Sequence, residues 1–201
     1  MNTGMALHIH LVRHGHHALV DRVLCGRMPG VQLDDLGCEQ MANTAEILRQ
    51  HRCSAVQSSP QRRALQSAAI IANRCDCAVE IAPGFDELDM GSWTGAAFAD
   101  LAWDKRWRKW NEKRGSARPP GGESMALLQR RVIEHLEQLK GQGGTIVIVS
   151  HAEPIRAALM FYLGISLDRF HSVAVDPASI STIRLEGSRR IVSCVNGKVS
   201  A

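Results

Sequence analysis

The sequence predicts a single α/β domain, and three observations carry that expectation. Short apolar runs alternate with helix-length segments from end to end. The run Thr145-Ile146-Val147-Ile148-Val149 is continuously apolar or β-branched, the pattern of a strand buried on both faces of a parallel sheet. No internal repeat or low-complexity linker divides the 201 residues, a length that lets one core bury about 70% of the unfolded surface.

Taken in order, Leu7 to Val12 alternates as a strand and ends at Arg13-His14-Gly15. A loop with Gly26, Pro29 and Gly30 follows, and Asp34 is placed to cap a helix that runs to about His51. Ser54 to Gln57 is a short strand. Ser59-Pro60 has the chemistry of a helix start leading into Arg63 to Asn73. Val79 to Ile81 is another short strand, followed by a loop through Pro83, Gly84 and Gly91. One helix is expected from Ala96 to Arg114, and the Pro119 to Gly122 break ends it. A second helix is expected from Ser124 to about Lys140. After the strand over 145–149 and Ser150-His151, Pro154 opens a helix to about Leu163, and the tail from Phe170 to Val195 adds strands.

Composition excludes several classes. Apolar residues make up 45% and charged residues 22%, too balanced for wholesale disorder. No apolar run approaches the ~20 residues that span a bilayer, and Met1 to His10 lacks the apolar stretch of a signal peptide. No membrane association is therefore expected. A net charge of +4, scattered along the chain, predicts no nucleic-acid partner and suits a small anionic substrate. The six cysteines lack zinc-ribbon spacing, so they read as free thiols of a reducing, cytoplasmic compartment.

The chemistry gathers at strand ends. The first strand delivers Arg13 and His14, the second is followed by Arg63, and the fourth delivers His151. In open α/β sheets ligands bind beyond the carboxyl ends of the strands. Two of these exits run into helix starts, at Pro60 and Pro154, where free backbone N–H groups favour an anion. Arg63 lies about one turn into its helix and leans back toward that crevice, while Arg62 is the solvent-facing member of the pair. Two guanidiniums, two imidazoles and helix-end amides match a phosphoryl group.

The same residues resemble the signature of the histidine phosphatase superfamily, which includes the cofactor-dependent phosphoglycerate mutases. Leu11-Val12-Arg13-His14-Gly15 carries the resemblance, and it continues through Leu33 to Gly37, Ser58 to Ala68, Glu87 to Gly95, Pro120 to Ser124 and Val149 to Ala152. The resemblance implies a three-layer α/β sandwich with a central, mostly parallel sheet and helices on both faces. It implies one such domain over residues 1–201, with a helical cap insertion at about 93–122. It also implies that His14 is the nucleophile, that Arg13, His14, Arg63 and His151 form the phosphate pocket with His151 among the catalytic groups, and that Glu87 is the proton donor. Asp86, Asp89 and Glu123 stand near enough to compete with Glu87, and Glu123 has a bracing role as its alternative.

Elementary chemistry agrees. A nucleophilic imidazole must be neutral, and two nearby guanidiniums disfavour its protonation. Preorganised donors meet the charge on the transferring phosphoryl oxygens. Neither a metal nor another cofactor is required. The chain departs from the family at His16-His17, where an acidic residue followed by Ser or Thr is usual, and at Ala152, where Gly is common.

On the substrate side, Trp103, Trp107 and Trp110 stand at helical spacing and are expected to share one face, either packed on the body or closing over the crevice. The compact 93–122 stretch favours a phosphatase of a small phosphomonoester over mutase-type phosphoryl transfer. Two other classes compete: a non-catalytic phosphate-binding module, and a metal-dependent hydrolase prompted by His8, His10, His14, His16 and His17. The sequence carries no signal of oligomeric state.

Overall fold

The computed structural model describes residues 6–198; residues 1–5, over which the signal-peptide expectation begins, and 199–201 lie outside it. Six strands form one sheet: β1 (Leu7–Arg13), β2 (Ala55–Ser58), β3 (Val79–Ile81), β4 (Gly144–Ser150), β5 (Ile180–Glu186) and β6 (Arg189–Gly197). Their order is β3-β2-β4-β1-β5-β6. The first four are mutually parallel, with Val12 opposite Val149 and Ser58 opposite Val149 on β4's other edge. The tail strands β5 and β6 add on antiparallel.

Period-two alternation gives the sheet two apolar faces. Leu7, Ile9 and Leu11 of β1 and Ile146 and Ile148 of β4 pack against α5 (Met125–Gln138) and α6 (Ala152–Tyr162) through Leu128, Val132, Ile155 and Leu159. Val12, Val147 and Val149 face the other way, onto Met41, Ala45 and Leu48 of α1 (Asp35–Arg49) and Ala64, Ala68 and Ile71 of α2 (Arg62–Cys75). Each fully buried aliphatic contributes about 1.5–3 kcal/mol by leaving water. The chain therefore leaves β1 toward one face and β4 toward the other. These adjacent parallel strands open a crevice at their carboxyl ends.

Caps explain the helix starts. The Asp34 carboxylate accepts from Gly37 N–H, and the Ser124 hydroxyl accepts from Leu127 N–H, as side chains of these types do. Two expectations need correction. The helix after β2 has Gln61 rather than Ser59 at its N-cap, because the Ser59 hydroxyl is engaged elsewhere. The single helix expected over 96–114 is two helices, α3 (Phe98–Leu101) and α4 (Lys105–Glu112). Asp104 caps the second by accepting from Arg106 N–H at 2.8 Å, which breaks the run.

That break separates the tryptophans. Trp103 is 85% exposed, whereas Trp93 and Trp110 are buried. Trp107 packs between them, its ring 5.3 Å from Trp93 and 5.2 Å from Trp110. Trp93, Leu101 and Trp110 join the core on the α5/α6 face instead of forming one of their own.

Candidate active site

The end of β1 is tied to the end of β4 by a His14 N–H to Ser150 carbonyl bond of 2.9 Å, which fixes the backbone beneath His14. The His14 ring lies 2.8 Å through Nδ1 from the carbonyl of Gly15. A carbonyl only accepts, so Nδ1 carries the proton and Nε2 carries the lone pair. Arg63 points its Nε–H at that lone pair over 3.3 Å, and its Nη2 donates to the Gly26 carbonyl at 2.7 Å. Its Nη1 is buried without a partner. Arg63 is 2% exposed while Arg62 is exposed. Arg13 is held by a 2.8 Å bond from Nη1 to the Val175 carbonyl.

His151, at the end of β4, is fully buried with its ring 5.1 Å from that of His14. Its Nε2 lies 2.7 Å from the Ser59 hydroxyl, which donates to Asp86 Oδ1 at 3.2 Å. The same Asp86 oxygen accepts from Gln61 Nε2 and from Glu87 N–H, each at 2.8 Å. With the serine proton committed to Asp86, His151 Nε2 is the donor to Ser59. His151 Nδ1 has no partner and lies 3.9 Å from Glu87 Oε2.

Glu87 sits on the loop after a 3₁₀ turn at Pro83–Phe85. Its backbone carbonyl accepts from Arg27 Nε at 2.8 Å and Arg131 Nη2 at 3.1 Å. Both arginines also grip Glu123, with Arg131 bonding its two carboxylate oxygens at 2.8 and 3.0 Å. Asp89 accepts from Gly91 N–H at 2.9 Å. Glu123 and Asp89 are thus bound into the loop, while among the described residues the Glu87 side chain accepts only from its neighbour's backbone, Leu88 N–H at 2.8 Å.

Burial pushes the titratable groups toward neutrality. It holds His14 and His151 well below the ordinary imidazole value of 6.5, and the Arg63 charge adds to the effect on both. It raises the Glu87 carboxyl to about 7, with the charge of Glu153 adding to it. Glu153 itself is buried, but Arg114 and Arg156, each 2.9 Å from its Oε1, outweigh that burial and hold it at about 2.

Arg13, His14, Arg63 and Glu87 line one cavity of about 140 Å³ with His17, Val20, Leu24 and Met90. The cavity continues past Phe98 and Glu153 to Trp107 and Trp110. Sequence reasoning gave no site role to Glu153 or Arg156, read Ser59 only as a helix start, and took His17 as a departure from the family and as one of the histidines behind the metal reading. The metal reading finds no support in the donor set. His10 Nδ1 pairs with Thr182 Oγ1 at 2.9 Å, and among the described residues no three or more His, Cys, Asp or Glu side chains are gathered as ligands.

Known proteins share this arrangement of strands. The model of the histidine phosphatase superfamily (branch 1) matches residues 9–198, and the chain belongs to that family. Phosphoserine phosphatase 1 of Hydrogenobacter thermophilus is 30% identical over 178 residues, covering 85% of this chain and 84% of its own. A glucosyl-3-phosphoglycerate phosphatase of Mycolicibacterium vanbaalenii is 29% identical, covering 82% of this chain and 78% of its own. Among solved structures, the α-ribazole phosphatase of Shigella flexneri superposes with a TM-score of 0.84 at 23% identity, over 96% of this chain and 98% of that one.

Proposed function

We propose that the protein is a phosphatase that hydrolyses a small phosphomonoester in two steps through phosphohistidine at His14. The observation that carries this reading is the His14 tautomer: a buried, neutral ring with its Nε2 lone pair on the cavity side, beside two guanidiniums and a second imidazole. In the first step Nε2 bonds to phosphorus as the ester P–O bond breaks. Glu87, protonated near neutral pH, gives its proton to the departing alkoxide. In the second, Glu87 takes a proton from water as the water oxygen bonds to phosphorus and the P–N bond breaks. Arg13 and Arg63 hold the phosphoryl oxygens through both steps, where preorganised donors contribute most of the barrier lowering, and His151 stands beside them as the second imidazole of the pocket.

The named relatives act on phosphorylated small molecules, which supports a small substrate here. The leaving group would lie along Val20, Leu24, Met90 and Phe98. Six unpaired thiols support a cytoplasmic setting. The test is a panel of phosphomonoesters scored for free phosphate, with acid-labile phosphoenzyme trapped in parallel. Phosphate release with label on His14, lost in His14→Asn, is expected. Transfer to a second hydroxyl without release, or release unchanged in the variant, overturns the reading.

A further inference from the structure

Between the nucleophile and α1 the chain turns through Gly15-His16-His17, and the two histidines part ways there. His16 faces outward to Asp34, with Nδ1 2.7 Å from Oδ2, while the other oxygen of Asp34 caps α1. His16 N–H donates to Gln40 Oε1 at 2.9 Å, so the turn is clamped to the start of α1. The clamp turns His17 inward. Its ring is 4% exposed and stacks on His14 with centroids 5.3 Å apart and planes 28° apart. It lines the same cavity as Arg13, His14, Arg63 and Glu87.

Nothing in the two-step reaction uses this ring, and its Nδ1 is buried without a hydrogen-bond partner. An unpaired buried nitrogen is costly to keep, a penalty that an apolar side chain of similar shape would avoid. Burial and the charges of Arg63 and Arg13 outweigh the opposing carboxylate of Asp34 and keep the ring uncharged, at a value of about 4. That field repels a proton but draws an oxyanion, and an oxyanion offers the acceptor that the ring lacks.

We propose that His17 is a third imidazole of the phosphoryl site, contacting a non-bridging oxygen of the bound phosphate group as a hydrogen-bond donor. The proposal rests on the phosphatase reading and adds to it a ligand at a position where the family resemblance leads one to expect Ser or Thr.

The experiment titrates inorganic phosphate into the whole protein while ring nitrogen signals of His17 are followed by NMR. Kd for phosphate and KM for a hydrolysed ester are then measured in His17→Phe, which keeps the ring volume, and His17→Asn, which keeps a donor. The expected result is a His17 signal that moves with phosphate saturation. Kd and KM should rise by about tenfold or more in His17→Phe, the worth of a hydrogen bond to a charged group, and partly recover in His17→Asn. Phosphoenzyme should still form on His14. A wild-type His17 signal that stays fixed at saturating phosphate overturns the proposal, whether or not the variants fold. So does a loss of kcat with Kd unchanged, which would make His17 a packing residue beneath His14. A wild-type protein that neither binds phosphate nor forms phosphoenzyme overturns the phosphatase reading as well.

Discussion

Replacing Glu87 by Gln should inactivate the protein and stabilise it, but only in one pH range. Burial, reinforced by Glu153, raises the Glu87 carboxyl from 4.5 to about 7 in the folded protein. Between those values the folded state binds more protons than the unfolded chain, so stability falls as pH rises through the window. At about 1.4 kcal/mol per pH unit, the folded state has lost about 3 kcal/mol once the pH passes 7. The side chain is 12% exposed, so water screens little of this. Glutamine keeps the shape and the oxygen that accepts from Leu88 N–H, without the charge. Glu87→Gln is therefore expected to unfold about 6–12 °C above the parent at about pH 8, given 2–4 °C per kcal/mol for a chain of this size. The advantage should vanish below about pH 3.5, where the parent's carboxyl is protonated in both states. Circular-dichroism melts of both proteins across this range, with phosphate release measured alongside, make the test. A variant no more stable than the parent at about pH 8, or equally stabilised at both ends, refutes the reasoning.

Other outcomes follow from single contacts. Arg63→Ala removes the donor on His14 Nε2 and a guanidinium facing the cavity, and phosphate release should fall by about 10²–10³-fold, whereas Arg62→Ala, at the exposed neighbour, should change it little. Ser59→Ala takes away the hydroxyl that fixes the His151 tautomer. Here kcat should drop about 10- to 100-fold, and the ring nitrogen signals of His151 should shift toward a mixture of tautomers. Gly37→Ala would drive a methyl into the His16 carbonyl, so thermal melts should show a loss of about 1–3 kcal/mol, with lower activity because the displaced turn carries His17.

How far the sequence could be read depended on whether a residue's role was local. β1 and β4 were legible because their apolar residues serve both faces of the sheet, and His14 and His151 because they stand one step beyond those runs. Asp34 was legible as a cap, since its carboxylate accepts from a backbone N–H three residues on. Ser59 offers the same local chemistry and its hydroxyl accepts Gln61 N–H at 3.3 Å, yet it also bonds His151, 92 positions away, and the helix is capped two residues later. Tertiary bonding overrode the local preference there. Asp104 shows the opposite failure: a cap residue stood within the supposed single helix, and the tryptophan spacing on either side disguised it. Glu153 could not be placed from its neighbours, because Arg114, which holds it ionised, comes from the far end of the tryptophan-rich stretch and is itself stacked between Trp110 and Phe170.

The choice among carboxylates follows the same logic. Glu87, Asp86, Glu123 and Glu153 all lie in or beside the same site, and burial pushes Glu87 to keep a proton. What separates them is their donors. Asp86 collects three hydrogen bonds on one oxygen, Glu123 is gripped by Arg27 and Arg131, and Glu153 is paired with Arg114 and Arg156. The Glu87 side chain has one backbone N–H, and the arginines that reach its residue spend their donors on its carbonyl. A general acid must hold its proton near neutral pH, so the carboxylate with the fewest donors is the one fitted to the task. The same dryness keeps the His14 and His151 imidazoles uncharged, which leaves Arg13 and Arg63 as the fixed positive charge facing the cavity's phosphoryl end. In the proposed reaction an incoming phosphate dianion is attracted by two permanent cations, and the His14 lone pair is not taken up by protonation.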